Sequence, residues 1–316
     1  GILTSGGDAP GMNAVIRTVV RAGTAYGMDV MVIQRGYSGL IDDDMKFMDN
    51  ASVEDIMQRG GTILKTARCE EFLTEPGRKT ALKNLRLHGI DSLIVCGGDG
   101  SFHGADLLDE LGMNVMCIPC TIDNDMGYTD YTIGFDTAVG TVIDAVSKIQ
   151  DTAGSHGRTT IVEVMGRNCG DIALRAGLAG GAEFVMIPER DYDIGDVCRK
   201  ILEGAARGKK HSIIIKAEGS KLSSQEVVDK ISEITGKDTR MVVLSYLQRG
   251  GSPTVRDRVV ASEMGCKAVE LLLEGKQNRI VCMQQHEIVD VDIEEGLAMK
   301  KELPQNLVDL AKKLTV

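Results

Sequence analysis

Residues 92–101, Ser92-Leu93-Ile94-Val95-Cys96-Gly97-Gly98-Asp99-Gly100-Ser101, pass from an apolar run through glycines into a helix-like pattern that starts at Phe102. Strand, glycine loop and helix in this order form a phosphate-binding layout. Glycines let backbone N–H groups approach an anion, and the start of the helix adds partial positive charge. Gly98, Gly100 and Gly104 are spaced G-x-G-x-x-x-G, one residue longer than the dinucleotide fingerprint. Asp99 inside the loop would repel a pyrophosphate unless a cation lay between them, so it reads as metal-facing.

The same alternation of short apolar runs with longer amphipathic ones recurs along the chain and predicts βα units around a mostly parallel sheet. Strands are expected at 30–33, 92–96, 115–118, 160–164, 184–187, 212–215 and 241–244, and Gly1 lies in a strand-like stretch that a short N-terminal piece would precede. Helices are expected at 14–27, 78–88, 102–111, 136–152, 196–207, 225–235 and 257–273. No low-complexity linker marks a domain boundary.

Two more loops carry polar chemistry. Thr4-Ser5-Gly6-Gly7-Asp8-Ala9-Pro10-Gly11-Met12-Asn13 has P-loop spacing between Gly6 and Gly11, but Met12 and Asn13 stand where a Walker A sequence needs Lys and Ser or Thr. What remains is a glycine turn at a helix start. Pro119-Cys120-Thr121-Ile122-Asp123-Asn124-Asp125 follows the apolar run 115–118, and alternation along extended chain would aim Thr121, Asp123 and Asp125 to one side. One carboxylate could then accept a proton from a hydroxyl while the other helps hold a cation, as phosphoryl transfer requires. An acidic turn is the plain alternative.

Composition limits the function classes. The 316 residues suffice for one large or two medium domains, and the net charge of -10 argues against non-specific nucleic-acid binding. No apolar run approaches the roughly 20 residues of a membrane span, and no signal peptide is visible, which points to a cytoplasmic protein. The 8 cysteines are scattered, several in apolar strands, as free thiols are in a reducing compartment. Cys117-x-x-Cys120 has no second pair to complete a zinc site.

Six ordered tracts now give a resemblance: 6–17 (GGDAPGMNAVIR), 97–101 (GGDGS), 121–125 (TIDND), 129–135 (TDYTIGF), 162–171 (VEVMGRNCGD) and 248–253 (QRGGSP). The chain resembles the bacterial ATP-dependent 6-phosphofructokinases along nearly its whole length. GGDG alone also occurs in NAD kinases and diacylglycerol kinases. The resemblance implies an α/β fold of two doubly wound, mostly parallel three-layer domains with the active site in the cleft between them. Residues 1–134 plus 247–297 would form the nucleotide-binding domain, and 135–246 plus 298–316 the sugar-phosphate-binding domain. The implied reaction is the glycolytic transfer of a phosphoryl group from Mg-ATP to the 1-hydroxyl of fructose 6-phosphate. Alternatives are a pyrophosphate-dependent enzyme of the same kind and a non-catalytic sugar-phosphate sensor.

By resemblance, Gly7, Tyr37, Arg68, Cys69, Gly98, Asp99, Gly100, Ser101 and Gly104 would bind ATP, with Tyr37 against the base and Arg68 near the transferring phosphate. Asp99 and Asp125 would serve Mg2+. Thr121, Ile122, Asp123, Met165, Gly166, Arg167, Glu218, Tyr246 and Arg249 would surround the sugar, and Asp123, Arg68, Thr121 and Arg167 would carry the chemistry. Arg158 and Arg240 would reach the 6-phosphate from a neighbouring subunit of a homotetramer. An effector site is expected from Arg17, Arg21, Lys209, Lys210 and His211.

The chain departs from the family's pattern in several places. Tyr246 stands where a His is usual and cannot become cationic near neutral pH. Asn50 and Gln150 stand where effector-site arginines are usual. Cys120 replaces a Gly, and pyrophosphate-dependent relatives tend to carry Lys there and Asp at the place of Gly100. The small, neutral pair Gly100 and Cys120 is expected to leave room for an ATP α-phosphate.

Overall fold

The computed structural model describes residues 1–314; Thr315 and Val316, the end of the expected second domain, lie outside the described residues. Two compact units are present. Unit 1 comprises Gly1–Ile122, Met126–Thr137 and Arg249–Lys300; unit 2 comprises Asp123–Asp125, Ala138–Gln248 and the chain from Lys301.

Unit 1 is built on a 7-stranded sheet ordered β11-β10-β5-β4-β1-β2-β3. Its strands are β1 (Ile2–Thr4), β2 (Val30–Ile33), β3 (Met45–Met48), β4 (Ser92–Gly97), β5 (Asn114–Pro119), β10 (Arg279–Gln284) and β11 (Glu287–Asp292). The centre is parallel, and the edges β3 and β11 run antiparallel to β2 and β10. A sheet covered on both faces needs apolar residues at successive positions, and these strands supply them. Leu3, Leu93, Val95, Val115 and Cys117 pack against Leu40 of α2 (Tyr37–Ile41), Leu85 of α3 (Glu75–Leu87) and Phe102 of α4 (Asp99–Asp109). The alternate residues Ile2, Ile94, Cys96, Met116 and Ile118 are also buried, on the side where α1 (Met12–Ala25) and α9 (Val255–Leu273) pack together. The short α10 (Ile293–Ala298) contacts α4.

Unit 2 has an all-parallel 4-stranded sheet, β7-β8-β6-β9, formed by β6 (Thr159–Val164), β7 (Phe184–Met186), β8 (Ser212–Ala217) and β9 (Thr239–Val243). One face meets α7 (Ile194–Ala206) and α8 (Ser224–Thr235), where Ile161, Met186 and Ile214 join Val197, Ile201, Val227 and Ile231. Across the sheet, α6 (Asp171–Ala179) packs on α11 (Gln305–Leu314) through Leu174, Val308 and Ala311. Helix α5 (Phe135–His156) starts in unit 1 and continues in unit 2. Ser223 and Glu226 close a capping box at the start of α8, and Gly236 at φ 66° ends it.

The three-layer α/β class is the one the sequence indicates. Strands β3, β10 and β11 and helices α2, α6, α10 and α11 are additions to the expected elements. Each tract that the sequence places after a strand does follow one: GGDGS after β4, TIDND after β5, Met165-Gly166-Arg167 after β6, Ala217-Glu218-Gly219 at the end of β8 and Gln248-Arg249 after β9. In open α/β sheets that end of the strands is where ligands bind.

Candidate active site

In unit 1 the glycine loops are shaped by close approaches. A Cβ on Gly7 would lie 2.5 Å from Nη1 of Arg249, so glycine lets the first loop pack directly against that guanidinium, which any larger residue would displace. This brings together a residue expected at the nucleotide and one expected at the sugar. In the second loop, Ser101 and Phe102 donate their N–H groups to the Gly98 carbonyl at 2.9 and 3.1 Å, and Asp99, about half exposed, opens α4. His103 Nε2 stands 3.7 Å from Asp99 Oδ2, one helical turn on. A Cβ on Gly100 would meet nothing within 4 Å, so the space beside it is open.

Tyr37 is buried, with its ring stacked on Phe72 at 4.1 Å between centroids and its hydroxyl donating to the Ser101 carbonyl at 2.5 Å. A Cβ on Gly104 would come within 2.9 Å of that ring. Burial pushes the phenol pKa well up and keeps it a neutral donor. Tyr37 thus supports the backbone of the GGDGS loop, and Phe72, which the sequence reading does not single out, covers its face. Cys69 is half-buried and Arg68 exposed on the preceding loop.

Two of the residues expected near the ligands are buried. Cys120 is fully buried, and its thiol pKa is raised well up by burial and by a hydrogen bond with the neighbouring Cys96 thiol. Its side chain packs beside Cys96 in unit 1. Ile122 is buried too, which leaves only its backbone to a ligand. The Thr121 carbonyl accepts from Thr132 Oγ1 at 2.7 Å, which holds the start of the TIDND turn.

In unit 2, Arg167 Nε lies 4.0 Å from Asp123 Oδ2 and its Nη1 3.9 Å from Asp125 Oδ2. Asp123 is nearly buried (7% side-chain exposure), Asp125 partly so (21%), and the arginine is open to solvent (64%). Between the two carboxylates, Asn124 sits in the left-handed region at φ 49° and donates through Nδ2 to Asp171 Oδ2 at 2.7 Å; Asp171 also accepts from Arg175 Nε at 2.9 Å. Asn tolerates this conformation better than most residues, and here it sends its neighbours out on one side of the turn.

Arg167 is itself at φ 53°, and its N–H donates to Glu218 Oε1 at 2.9 Å. Cβ atoms on Gly166 and Gly219 would fall 2.5 Å from the Cys169 carbonyl and 2.0 Å from that of Arg167, so both glycines are required by packing. The Met165 N–H donates to Oε1 of the fully buried Gln248 at 3.2 Å. Asn124, Asp171 and Gln248 are therefore positioning residues. The tracts contained them, but nothing in their spacing distinguished them from the groups they hold.

Asp238 joins the two arginines expected at the 6-phosphate. Arg158 Nε is 2.7 Å from Asp238 Oδ2 and Arg240 Nε 2.8 Å from Oδ1. The hydrogen bond from Arg158 leads in holding the Asp238 carboxyl below its usual pKa. Tyr246 stands exposed in the 3-10 turn Ser245–Arg249.

The expected effector residues belong to both units. Arg17 and Arg21 share a cavity of about 310 Å³ in unit 1 with Glu54, Asp55, Met57 and Gln58. In unit 2, Lys209 is ion-paired with Glu183, while Lys210 and His211 lie just beyond it. Gln150 donates to the Gly180 carbonyl at 2.8 Å, and Asn50 is exposed.

Among the described residues no three His, Cys, Asp or Glu side chains converge as a metal cage. Asp99 in unit 1 and Asp125 in unit 2 are each partly exposed carboxylates of the kind that suits Mg2+, an ion usually held by one or two carboxylates with waters and substrate phosphates. No helix among the described residues is long and apolar enough to cross a membrane.

The profile of the family described as "Phosphofructokinase" matches residues 1–272. A curated ATP-dependent 6-phosphofructokinase of Clostridium botulinum (strain Loch Maree / Type A3) is 57% identical over 310 residues, 98% of this chain and 97% of that protein. This chain belongs to the phosphofructokinase family. The enzyme of the same name from Clostridium novyi (strain NT) is 56% identical over 314 residues, covering 99% of this chain and 98% of the relative. Among solved structures, phosphofructokinase from Saccharomyces cerevisiae has a TM-score of 0.90 at 33% identity over 99% of this chain, which spans 45% of the yeast chain. The pyrophosphate-dependent phosphofructokinase from Marinobacter aquaeolei has a TM-score of 0.86 at 20% identity, covering 100% of this chain and 91% of its own, and speaks for the fold alone.

Proposed function

We propose that the chain is an ATP-dependent 6-phosphofructokinase that phosphorylates fructose 6-phosphate on its 1-hydroxyl, giving fructose 1,6-bisphosphate and ADP. The observation that carries the reading is the nearly buried Asp123 with the guanidinium of Arg167 beside it on the TIDND turn. A positioned carboxylate can take the proton of the attacking hydroxyl, and an adjacent guanidinium can follow charge as it develops on the transferring phosphoryl group. Asp123 is the general base and Arg167 the charge stabiliser. Thr121, Asp125 and Arg68 complete the catalytic set, with Arg68 near the transferring phosphate.

Unit 1 is the nucleotide-binding unit. Gly7, Gly98, Asp99, Gly100, Ser101 and Gly104 form its phosphate cradle, and Tyr37, Arg68 and Cys69 lie at its border. Asp99, and in unit 2 Asp125, are each assigned to Mg2+, which when bound would neutralise charge on the phosphates. In unit 2, Met165, Gly166, Arg167 and Glu218 are the residues for the sugar, and in unit 1 Arg249 is assigned to it by the resemblance. Arg158 and Arg240 act on a 6-phosphate in a neighbouring subunit of a homotetramer, where their forked donors suit phosphate oxygens. Cytoplasmic glycolysis is the setting that this reaction and composition fit.

The test is to incubate the protein with fructose 6-phosphate and Mg-ATP and follow products by phosphorus NMR. A new phosphate ester at C1 with stoichiometric ADP is expected. Recovery of unchanged sugar phosphate would refute the reading.

A further inference from the structure

Lys216 is among the largest side chains that are wholly buried, at 1% exposure, within β8. Lysines are almost never buried unless paired. Its row on the α7 and α8 side of the sheet is otherwise apolar: Ile214 precedes it by two residues, Met186 faces it from β7, and both share a core with Ile161 and Val227. An aliphatic residue would continue that pattern. Instead the ammonium lies 3.6 Å from Oε2 of Glu163, its register partner on β6, and donates to the Ala217 carbonyl at 3.2 Å. Ser224, the buried first residue of α8, donates its hydroxyl to the same Glu163 oxygen.

The pair stands on the next-to-last rung of the β6–β8 ladder, since Val164 and Ala217 form the last. Beyond that rung the strands release the two loops expected at the sugar. The loops are tied to each other and to the strand ends: Arg167 N–H donates to Glu218 Oε1 at 2.9 Å, Glu218 N–H to the Val164 carbonyl at 2.8 Å, and Ser220 N–H to the Ala217 carbonyl at 3.1 Å. The last carbonyl is the one Lys216 holds, and its direction fixes the plane of the peptide that leads into Glu218.

Replacing a buried ion pair by apolar side chains of similar volume is often neutral or stabilising. Stability therefore gives no reason for a lysine here. We infer that Lys216, with Glu163, is a positioning pair that aims the Glu218 carboxylate at the Arg167 amide and so sets the affinity of the unit 2 loops for their sugar phosphate. Only the identity of that ligand rests on the function proposed above.

Lys216→Met keeps the volume and removes the charge. The expected variant is folded, with fructose 6-phosphate KM raised about fivefold or more, as loss of one organising hydrogen bond implies, while kcat and the KM for ATP stay within about twofold. Amide exchange at Arg167 and Ser220 should quicken about tenfold, with α7 unchanged. Lys216→Arg should recover part of the affinity. A folded Lys216→Met protein with unaltered KM and unaltered exchange at those amides would overturn the inference. Where that variant fails to fold, the double variant Glu163→Gln with Lys216→Met takes the same measurements; failure of both to fold also overturns it, because the pair would then serve folding. If the parent protein does not turn over fructose 6-phosphate, the proposed function fails, and the exchange rates decide the positioning role by themselves.

Discussion

Arg167 carries its guanidinium to 4.0 Å from Asp123 while its own backbone, at φ 53°, is held by Glu218. The side chain is thus free to follow a substrate, and its origin is fixed. If Asp123 is the base, Asp123→Asn should lower kcat by about 10²- to 10⁴-fold with the KM for fructose 6-phosphate little changed. Steady-state rates of the two proteins check this, and a variant within about threefold of the parent would remove Asp123 from that role.

The open space at Gly100 makes a sharper prediction about the donor. Gly100→Asp meets no atom within 4 Å and should fold normally, yet its carboxylate would crowd and repel phosphate, so ATP use should fall while thermal stability holds. Cys120→Gly should behave oppositely. Removing a buried thiol costs about 1 to 3 kcal/mol, so the melting temperature should drop with donor preference unchanged. Melting curves with donor assays on both variants separate the two effects; increased pyrophosphate use by Cys120→Gly would contradict this prediction.

The shared carboxylate Asp238 aligns Arg158 and Arg240 through their Nε atoms, which leaves the outer nitrogens for a phosphate. Arg240→Ala should raise the KM for fructose 6-phosphate about tenfold or more, as loss of a charge-assisted hydrogen bond implies, with a smaller effect on kcat. Sedimentation should show a tetramer, and a fully active monomer would contradict the sharing of the site. The low Asp238 pKa means that its side of the pairing is lost only as pH falls through a value below the ordinary carboxylate range. Arginine does not titrate near neutrality, so neither partner should give the KM a pH dependence between about 6 and 9.

Regulation should be weak. Asn50 and Gln150 bring no charge to the expected effector site, and Gln150 is already bonded to Gly180. Each missing charge-assisted bond is worth about 1.5 to 3 kcal/mol, so two weaken an anion by two or more orders of magnitude. Phosphoenolpyruvate and ADP at about 1 mM should then scarcely move the fructose 6-phosphate saturation curve. A several-fold shift in half-saturation by either ligand would sink this account. Asn50→Arg with Gln150→Arg should strengthen the response.

What was legible in the sequence followed from periodicity and glycine. The central strands β4, β5, β6 and β8 are short apolar runs, and each ends in a polar tract whose chemistry could be read. The hairpin β10–β11 was not legible, because its turn places Gln285 and His286 at φ 52° and 70° without the Asn-Gly or Asp-Gly signal such turns usually carry. The expected strand at 212–215 stopped short of Lys216, since a charged residue reads as a strand end until its buried partner on β6 is known. How Tyr37 and Cys120 pack was not legible, because which way each side chain turns depends on Phe72 and Cys96, distant in sequence. Asn124, Asp171 and Gln248 act on backbone and on other side chains, and no spacing announces that.

The central claim is a kinase that takes its phosphoryl group from ATP. The measurement that tests it most directly is kcat/KM for Mg-ATP and for pyrophosphate at saturating fructose 6-phosphate, on one preparation of the protein. The account predicts a ratio of at least about 10² in favour of ATP, the discrimination that a difference of roughly 3 kcal/mol gives. Equal use of the two donors, or a preference for pyrophosphate, would contradict it.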